Sequence, residues 1–168
     1  LGDALQILAG WEVAIPDDLT DFFRRCVFQA IEQEIPVQER QTLATALGRM
    51  GDPRIELDLR VPNGPDGHPG YVKIPAGEYL IGEEKQSVSI DEPFWLSKYP
   101  VTNSQYKLFM DAGGYSNRDF WSNEGWKWRE SEDVISPRYW RTVAFNSPNQ
   151  PVVGVSWWEA DAFCRWAG

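Results

Sequence analysis

The chain has 168 residues, 42% of them hydrophobic and 24% charged, a balance that excludes a wholly disordered protein and more than two full domains. Its 25 acidic and 16 basic residues give a formal charge of −9, a field that repels phosphate backbones and excludes nucleic acid as a partner. No apolar run approaches bilayer length and the first residues lack a basic start followed by a hydrophobic stretch, so no membrane partner is expected.

Residues 1–60 read as helical. After Pro16-Asp17-Asp18, Leu19, Phe22, Phe23, Cys26, Val27, Ala30 and Ile31 recur at steps of three and four, the stripe of an amphipathic helix that Pro36 stops. A second helix is expected from Val37 to Met50, with Leu43, Ala46, Leu47 and Met50 on one face, ended by Gly51-Asp52-Pro53. Two or three helices are therefore expected, and residues 46–54 look like the end of a HEAT-type repeat, although one copy makes no array. Residues 61–70 hold three Pro and three Gly and read as a linker.

Beyond the linker the period shortens. Residues 71–74, 78–81, 87–90 and 94–97 read as strands. Thr102-Asn103-Ser104-Gln105 is a capping box opening a helix with Tyr106, Phe109 and Met110 inward, and Gly113-Gly114 ends it. Residues 115–151 show little regular period but much tryptophan. A second capping box, Ser156-Trp157-Trp158-Glu159, opens a helix expected to carry Ala160, Phe163, Cys164 and Ala167 on its buried side.

Several segments, in order, carry a resemblance: Val72-Lys73-Ile74-Pro75-Ala76-Gly77, then Gly82, then Ser97-Lys98-Tyr99-Pro100-Val101-Thr102-Asn103. They continue with Asn149-Gln150-Pro151-Val152-Val153-Gly154-Val155-Ser156-Trp157 and Ala162-Phe163-Cys164-Arg165-Trp166-Ala167-Gly168. Residues 71–168 thereby resemble the formylglycine-generating-enzyme (sulfatase-modifying-factor) family, and the insert from Trp121 to Trp140 is similar to bacterial members fused to helical, kinase, caspase or nucleotide-switch modules. The resemblance implies an α+β chain: a short HEAT-like helical segment (1–60), the linker (61–70), and the N-terminal part of a C-type-lectin-like domain (71–168). It also implies that the family's copper-binding cysteines, calcium loops and much of the substrate groove belong to a second half not among these residues. No cofactor is then expected in this chain, with calcium or copper in the other half. The remaining half of the domain, or a second chain, becomes an expected partner, and an exposed apolar side at Phe163 and Trp166 an expected consequence.

The candidate chemistry is sparse. Two cysteines, Cys26 and Cys164, are too few for a disulfide scaffold or a four-ligand zinc site and suit a reducing compartment, so a cytoplasmic location is expected. Both read as buried structural thiols. His68, the single histidine, reads as a linker residue, and its solitude excludes the iron-dependent sulfoxide synthases that share the lectin-like domain and need a cluster of histidines on their helical half. The acidic pairs Glu83-Glu84 and Asp91-Glu92 and the run from Glu130 to Asp133 read as solvated surface. There is neither a calcium loop nor a phosphate-binding glycine loop. The candidate recognition surface is Trp121, Trp126, Trp128, Arg129, Arg138, Tyr139 and Trp140, weighed against a core role for the same rings.

Two functions follow. The first, preferred on these grounds, is a non-catalytic module of a larger bacterial protein that binds a protein or small molecule as a sensor or display domain, with variable proteins of diversity-generating retroelements as one form. The alternative is a partial view of a copper-dependent oxidase that converts a sulfatase cysteine to formylglycine.

Overall fold

The structure is a computed structural model that describes residues 17–55, 57 and 71–168. The expected linker, His68 within it, and any helix before residue 17 lie outside the described residues.

Two helices open the described chain, α1 (Asp17–Ile31) and α2 (Val37–Met50). Their apolar stripes meet at Val27, Ala46 and Leu47, all fully buried, with Phe23, Phe28, Ile31, Leu43 and Met50 packed around them. The stripe of α1 is wider than one partner helix can cover, and Leu19 and Phe22 remain 42% and 53% exposed. Gly51 ends α2 at φ +87°, in the left-handed region that favours glycine. The Arg24 guanidinium ties the helices together by donating to the Met50 carbonyl at 2.5 Å.

Four short strands follow: β1 (Tyr71–Ile74), β2 (Gly77–Ile81), β3 (Gln86–Ile90) and β4 (Phe94–Ser97). They make two antiparallel pairs. β2 and β3 form a hairpin with Tyr79 opposite Val88, and β1 pairs with β4, placing Val72 opposite Leu96 and Ile74 opposite Phe94. Opposed residues share a face, so one side of the β1–β4 ribbon is wholly apolar, and Val72, Phe94 and Leu96 are exposed on it.

The remainder is helical with long loops: α3 (Asn103–Asp111), α4 (Asn123–Ser131) and α5 (Trp157–Ala167), with short 3-10 turns at Arg118–Phe120 and Val143–Phe145. Tyr106, Phe109, Tyr115, Trp121, Ala162 and Phe163 form its buried core, with Trp126, Trp128, Trp140, Trp158 and Trp166 packed against them. The Tyr106 ring stacks on Phe163 at 5.3 Å, and Phe109 meets Phe163 edge-on at 5.9 Å, geometries that suit the ring quadrupoles. Helix α4 escapes a reading by period, because Asn123–Ser131 is polar and contains Gly125. It forms because the Ser122 side chain caps the Gly125 amide at 3.1 Å, and because Trp126 and Trp128 are held on the core.

The chain is thus mixed α+β, with five α-helices and two small antiparallel sheets among the described residues. By contacts, α1 and α2 group with Val101–Gly168, and the strands up to Pro100 form a second unit. No described helix is long and apolar enough to cross a membrane.

Candidate functional site

The start of α3 is held by two interlocking devices. Thr102 is 2% exposed; its hydroxyl accepts from the Gln105 amide while Gln105 accepts from the Thr102 amide at 2.9 Å, the capping box expected from the four residues. The flanking backbone is clamped to loop 145–152. Thr102 bridges Pro151, the Asn103 amide donates to the Gln150 carbonyl, Ser104 to Pro148, and Val152 to Val101, each bond at 2.9 Å. The buried Asn103 side chain donates to the Phe145 and Ser147 carbonyls at 2.7 and 2.8 Å. Two of the segments that carried the resemblance therefore lie side by side, and the Asn103 side chain and the Gln150 carbonyl satisfy backbone groups between them.

The start of α5 carries a second box with a further function. Ser156 caps the Glu159 amide at 3.2 Å, and Glu159 accepts from the Ser156 amide at 2.7 Å. The other carboxylate oxygen accepts from the Tyr115 hydroxyl at 2.6 Å, and the Tyr115 and Tyr106 hydroxyls are 3.1 Å apart. Glu159 is only 2% exposed. Burial is the main cause that pushes both phenols well above the ordinary tyrosine range. For Tyr115 the neighbouring Tyr106 and Glu159 push the same way; for Tyr106 the Tyr115 hydrogen bond opposes and Glu159 adds to the rise. The box is legible in four consecutive residues; the network is not. The signal in hand was a glutamate beside a cluster of aromatics, and nothing in its spacing pointed to Tyr115, 44 residues away.

Glu159 also lines an open cleft of about 680 Å³, bounded by Trp128, residues 132–139 and residues 154–156. Gly154 shapes its wall: at φ +75° it brings its carbonyl 3.0 Å from the Arg138 amide, and a β-carbon there would lie 2.7 Å from the Tyr139 ring. The cleft gathers three of the seven expected recognition residues, Trp128, Arg138 and Tyr139. Arg138 lies over the Tyr139 ring at 5.5 Å. Trp121 is a core residue instead, 6% exposed with its indole donating to the Gly114 carbonyl at 2.8 Å. Trp126 packs on Trp121, with the Arg129 guanidinium over its ring at 5.3 Å and the Arg129 Nε buried without a hydrogen-bond partner. Trp140 faces a separate cavity of about 240 Å³ with Asn103, Ser104 and Lys107. The core role weighed for these rings prevails at Trp121 because its indole N–H finds a buried carbonyl.

Three expectations at α5 are corrected. Cys164 is exposed, as is Ala160, because the helix turns Glu159, Ala162 and Phe163 inward. A buried glutamate on that face was not anticipated, and counting only apolar positions rotated the expected face by about one residue. Phe163 is 7% exposed and Trp166 is half-buried against the core, so the expected apolar exposure at these two rings does not occur. Cys26 is half-buried on α1. Among the described residues no three His, Cys, Asp or Glu side chains converge as a metal site.

Residues 60–168 match the model of the sulfatase-modifying factor enzyme 1-like domain family. The chain belongs to this family. Within it, the chain is 29% identical to a hercynine oxygenase of Mycolicibacterium smegmatis and 30% identical to one of Mycolicibacterium thermoresistibile. Each alignment covers 78% of this chain and 36% or 34% of the relative. It is 27% identical to a formylglycine-generating enzyme of Thermomonospora curvata, over 59% of this chain and 44% of the relative. The chain spans about a third of the length of the two oxygenases, so its single histidine speaks for only part of such a protein. Similarity to oxygenases as well as to formylglycine-generating enzymes withdraws the exclusion drawn from that histidine. These relatives are enzymes by name, which favours the enzymatic alternative over the display module; the comparisons offer no support for a retroelement variable protein.

Proposed function

We propose that the natural protein containing this chain is an oxidative enzyme of the sulfatase-modifying-factor family, with the layout of the hercynine oxygenases. One observation carries this reading. Two oxygenase alignments cover 78% of this chain, more than residues 60–168 make up, so the likeness to these two extends upstream of the family domain into the helical segment, while a third oxygenase aligns over 52%. The formylglycine-generating enzymes cover 58–62%, and a sulfatase cysteine oxidised to formylglycine is the second reading.

In this proposal the described residues supply scaffold and a substrate-facing wall; among them no three His, Cys, Asp or Glu side chains converge. The wall is the cleft beside α4 and α5, where Trp128 and Tyr139 offer aromatic faces and Arg138 a cation for an anionic group. The two unpaired cysteines suit the cytoplasm as its location.

The full-length protein, supplied with iron or copper, is to be assayed for oxygen uptake and product mass with hercynine and, separately, with a cysteine-containing sulfatase peptide. Uptake coupled to a new product from either one supports an oxidative enzyme and identifies the branch. No uptake with either, under conditions where an authentic relative turns over, returns the protein to the binding-module reading. Arg138→Ala should raise KM with kcat little changed if the cleft holds substrate.

A further inference from the structure

Asn149 stands in the loop that clamps α3, yet its side chain faces the other way. Its amide nitrogen donates to the Ala44 carbonyl and to the Asp52 carboxylate, both at 2.9 Å. Both acceptors belong to the helical pair: Ala44 is on α2, and Asp52 follows its end. The approach is close enough to need a glycine. Gly48 is buried in the last turn of α2, and a β-carbon there would collide with the Asn149 side-chain amide.

Asp52 is organised for this contact. It is 8% exposed and accepts from the Arg54 amide at 3.1 Å and from the Arg54 guanidinium at 2.9 and 2.6 Å, besides Asn149. Burial opposes its charge, but the bonds from Arg54 and Asn149 outweigh burial and hold its carboxyl below the ordinary value of 3.8. The opposite side of the same loop carries the carbonyls of Phe145, Ser147, Pro148 and Gln150, which hold the start of α3.

We infer that Asn149, Gly48 and Asp52 form a docking interface through which the helical pair α1–α2 holds loop 145–150, and through it the start of α3. The helical pair is then a working part of the family domain rather than a free solenoid appendage. The partner of the loop is a helix with a glycine at the crossing point and an acid just past its end. This interface is independent of which oxidation the protein performs, so it survives or fails separately from the proposed function.

Glycine makes the test sign-sensitive. In a helix with nothing against it, Gly48→Ala raises helix propensity and should slow amide exchange in α2 roughly fivefold. In the docked pair it must push Asn149 away. Hydrogen exchange on the full-length protein is to be compared for the wild type, Gly48→Ala, Asn149→Ala and the double variant. Docking predicts that Asn149→Ala speeds exchange of the α2 amides and of the Asn103 and Ser104 amides roughly tenfold. It also predicts that Gly48→Ala speeds α2 exchange in the wild type but slows it in the Asn149→Ala background, a reversal that only contact between the two sites produces. If Gly48→Ala alone prevents folding, the comparison of Asn149→Ala with the double variant still reads the second half of the reversal. Slowed exchange for Gly48→Ala in the wild type, or α2 exchange indifferent to Asn149→Ala, overturns the interface.

Discussion

Helices α3 and α5 open with the same four-residue device and use it differently. At α3, Thr102 and Gln105 exchange two bonds and the surrounding loop supplies the rest of the clamp. At α5, Ser156 and Glu159 exchange the same two bonds, but the second glutamate oxygen reaches inward to Tyr115 and joins the box to a buried hydroxyl network. A capping box therefore specifies where a helix starts and leaves open what else its N3 side chain holds. That depends on whether a carboxylate or an amide stands there, and on what the chain folds against it.

The largest effect that separates the two boxes is expected at Glu159. Glu159→Ala removes a cap and leaves the Tyr115 hydroxyl buried without its acceptor, a loss of about 3–4 kcal/mol in urea unfolding. If it costs no more than losing a simple cap, the inward bond contributes nothing and the two boxes are equivalent.

Tyr115→Phe is expected to come next, at about 2 kcal/mol, because it strips a charge-assisted bond from a buried carboxylate. It should also alter the alkaline limb of stability. The phenol is raised above its ordinary value of 10.0 in the folded chain, so its contribution is fully present below about pH 10 and is lost as pH rises toward the folded value. The wild type should accordingly lose stability above pH 10, and Tyr115→Phe should flatten that loss, as followed by thermal melts between pH 8 and 11.

Thr102→Ala should cost about 1–2 kcal/mol, the ordinary worth of a cap at a buried position. Gln105→Ala is expected to be smallest, about 0.5 kcal/mol, since its bond to the Thr102 amide is neutral. A Gln105 effect as large as that of Glu159 would show that the inward carboxylate is not what distinguishes the two helix starts.

Much of the fold is legible in the chain, element by element. The four strands, α1, α2 and both capping boxes follow from period and from residue chemistry within a few positions, because those signals act between near neighbours. Helix α4 was not legible: Asn123–Ser131 has no apolar period and is held by a cap and by ring packing against residues distant in sequence. The inward face of α5 departs from the apolar count for a related reason, since Glu159 is held in the core by a tyrosine hydroxyl that donates to it from 44 residues away.

The candidate site divides along the same line. Trp128, Arg138 and Tyr139 meet at the cleft only because Gly154 lets two loop segments approach within hydrogen-bond distance. Trp121 leaves that group because its indole finds a buried carbonyl. The family of this chain was readable from ordered short motifs, each governed by local geometry: a cap, a turn, a proline. Which of its aromatic rings lie in the core, which acid is buried, and what Asn149 holds were decided by contacts spanning tens to more than a hundred residues. Such contacts form when loops close and exclude water, and no local pattern encodes their partners.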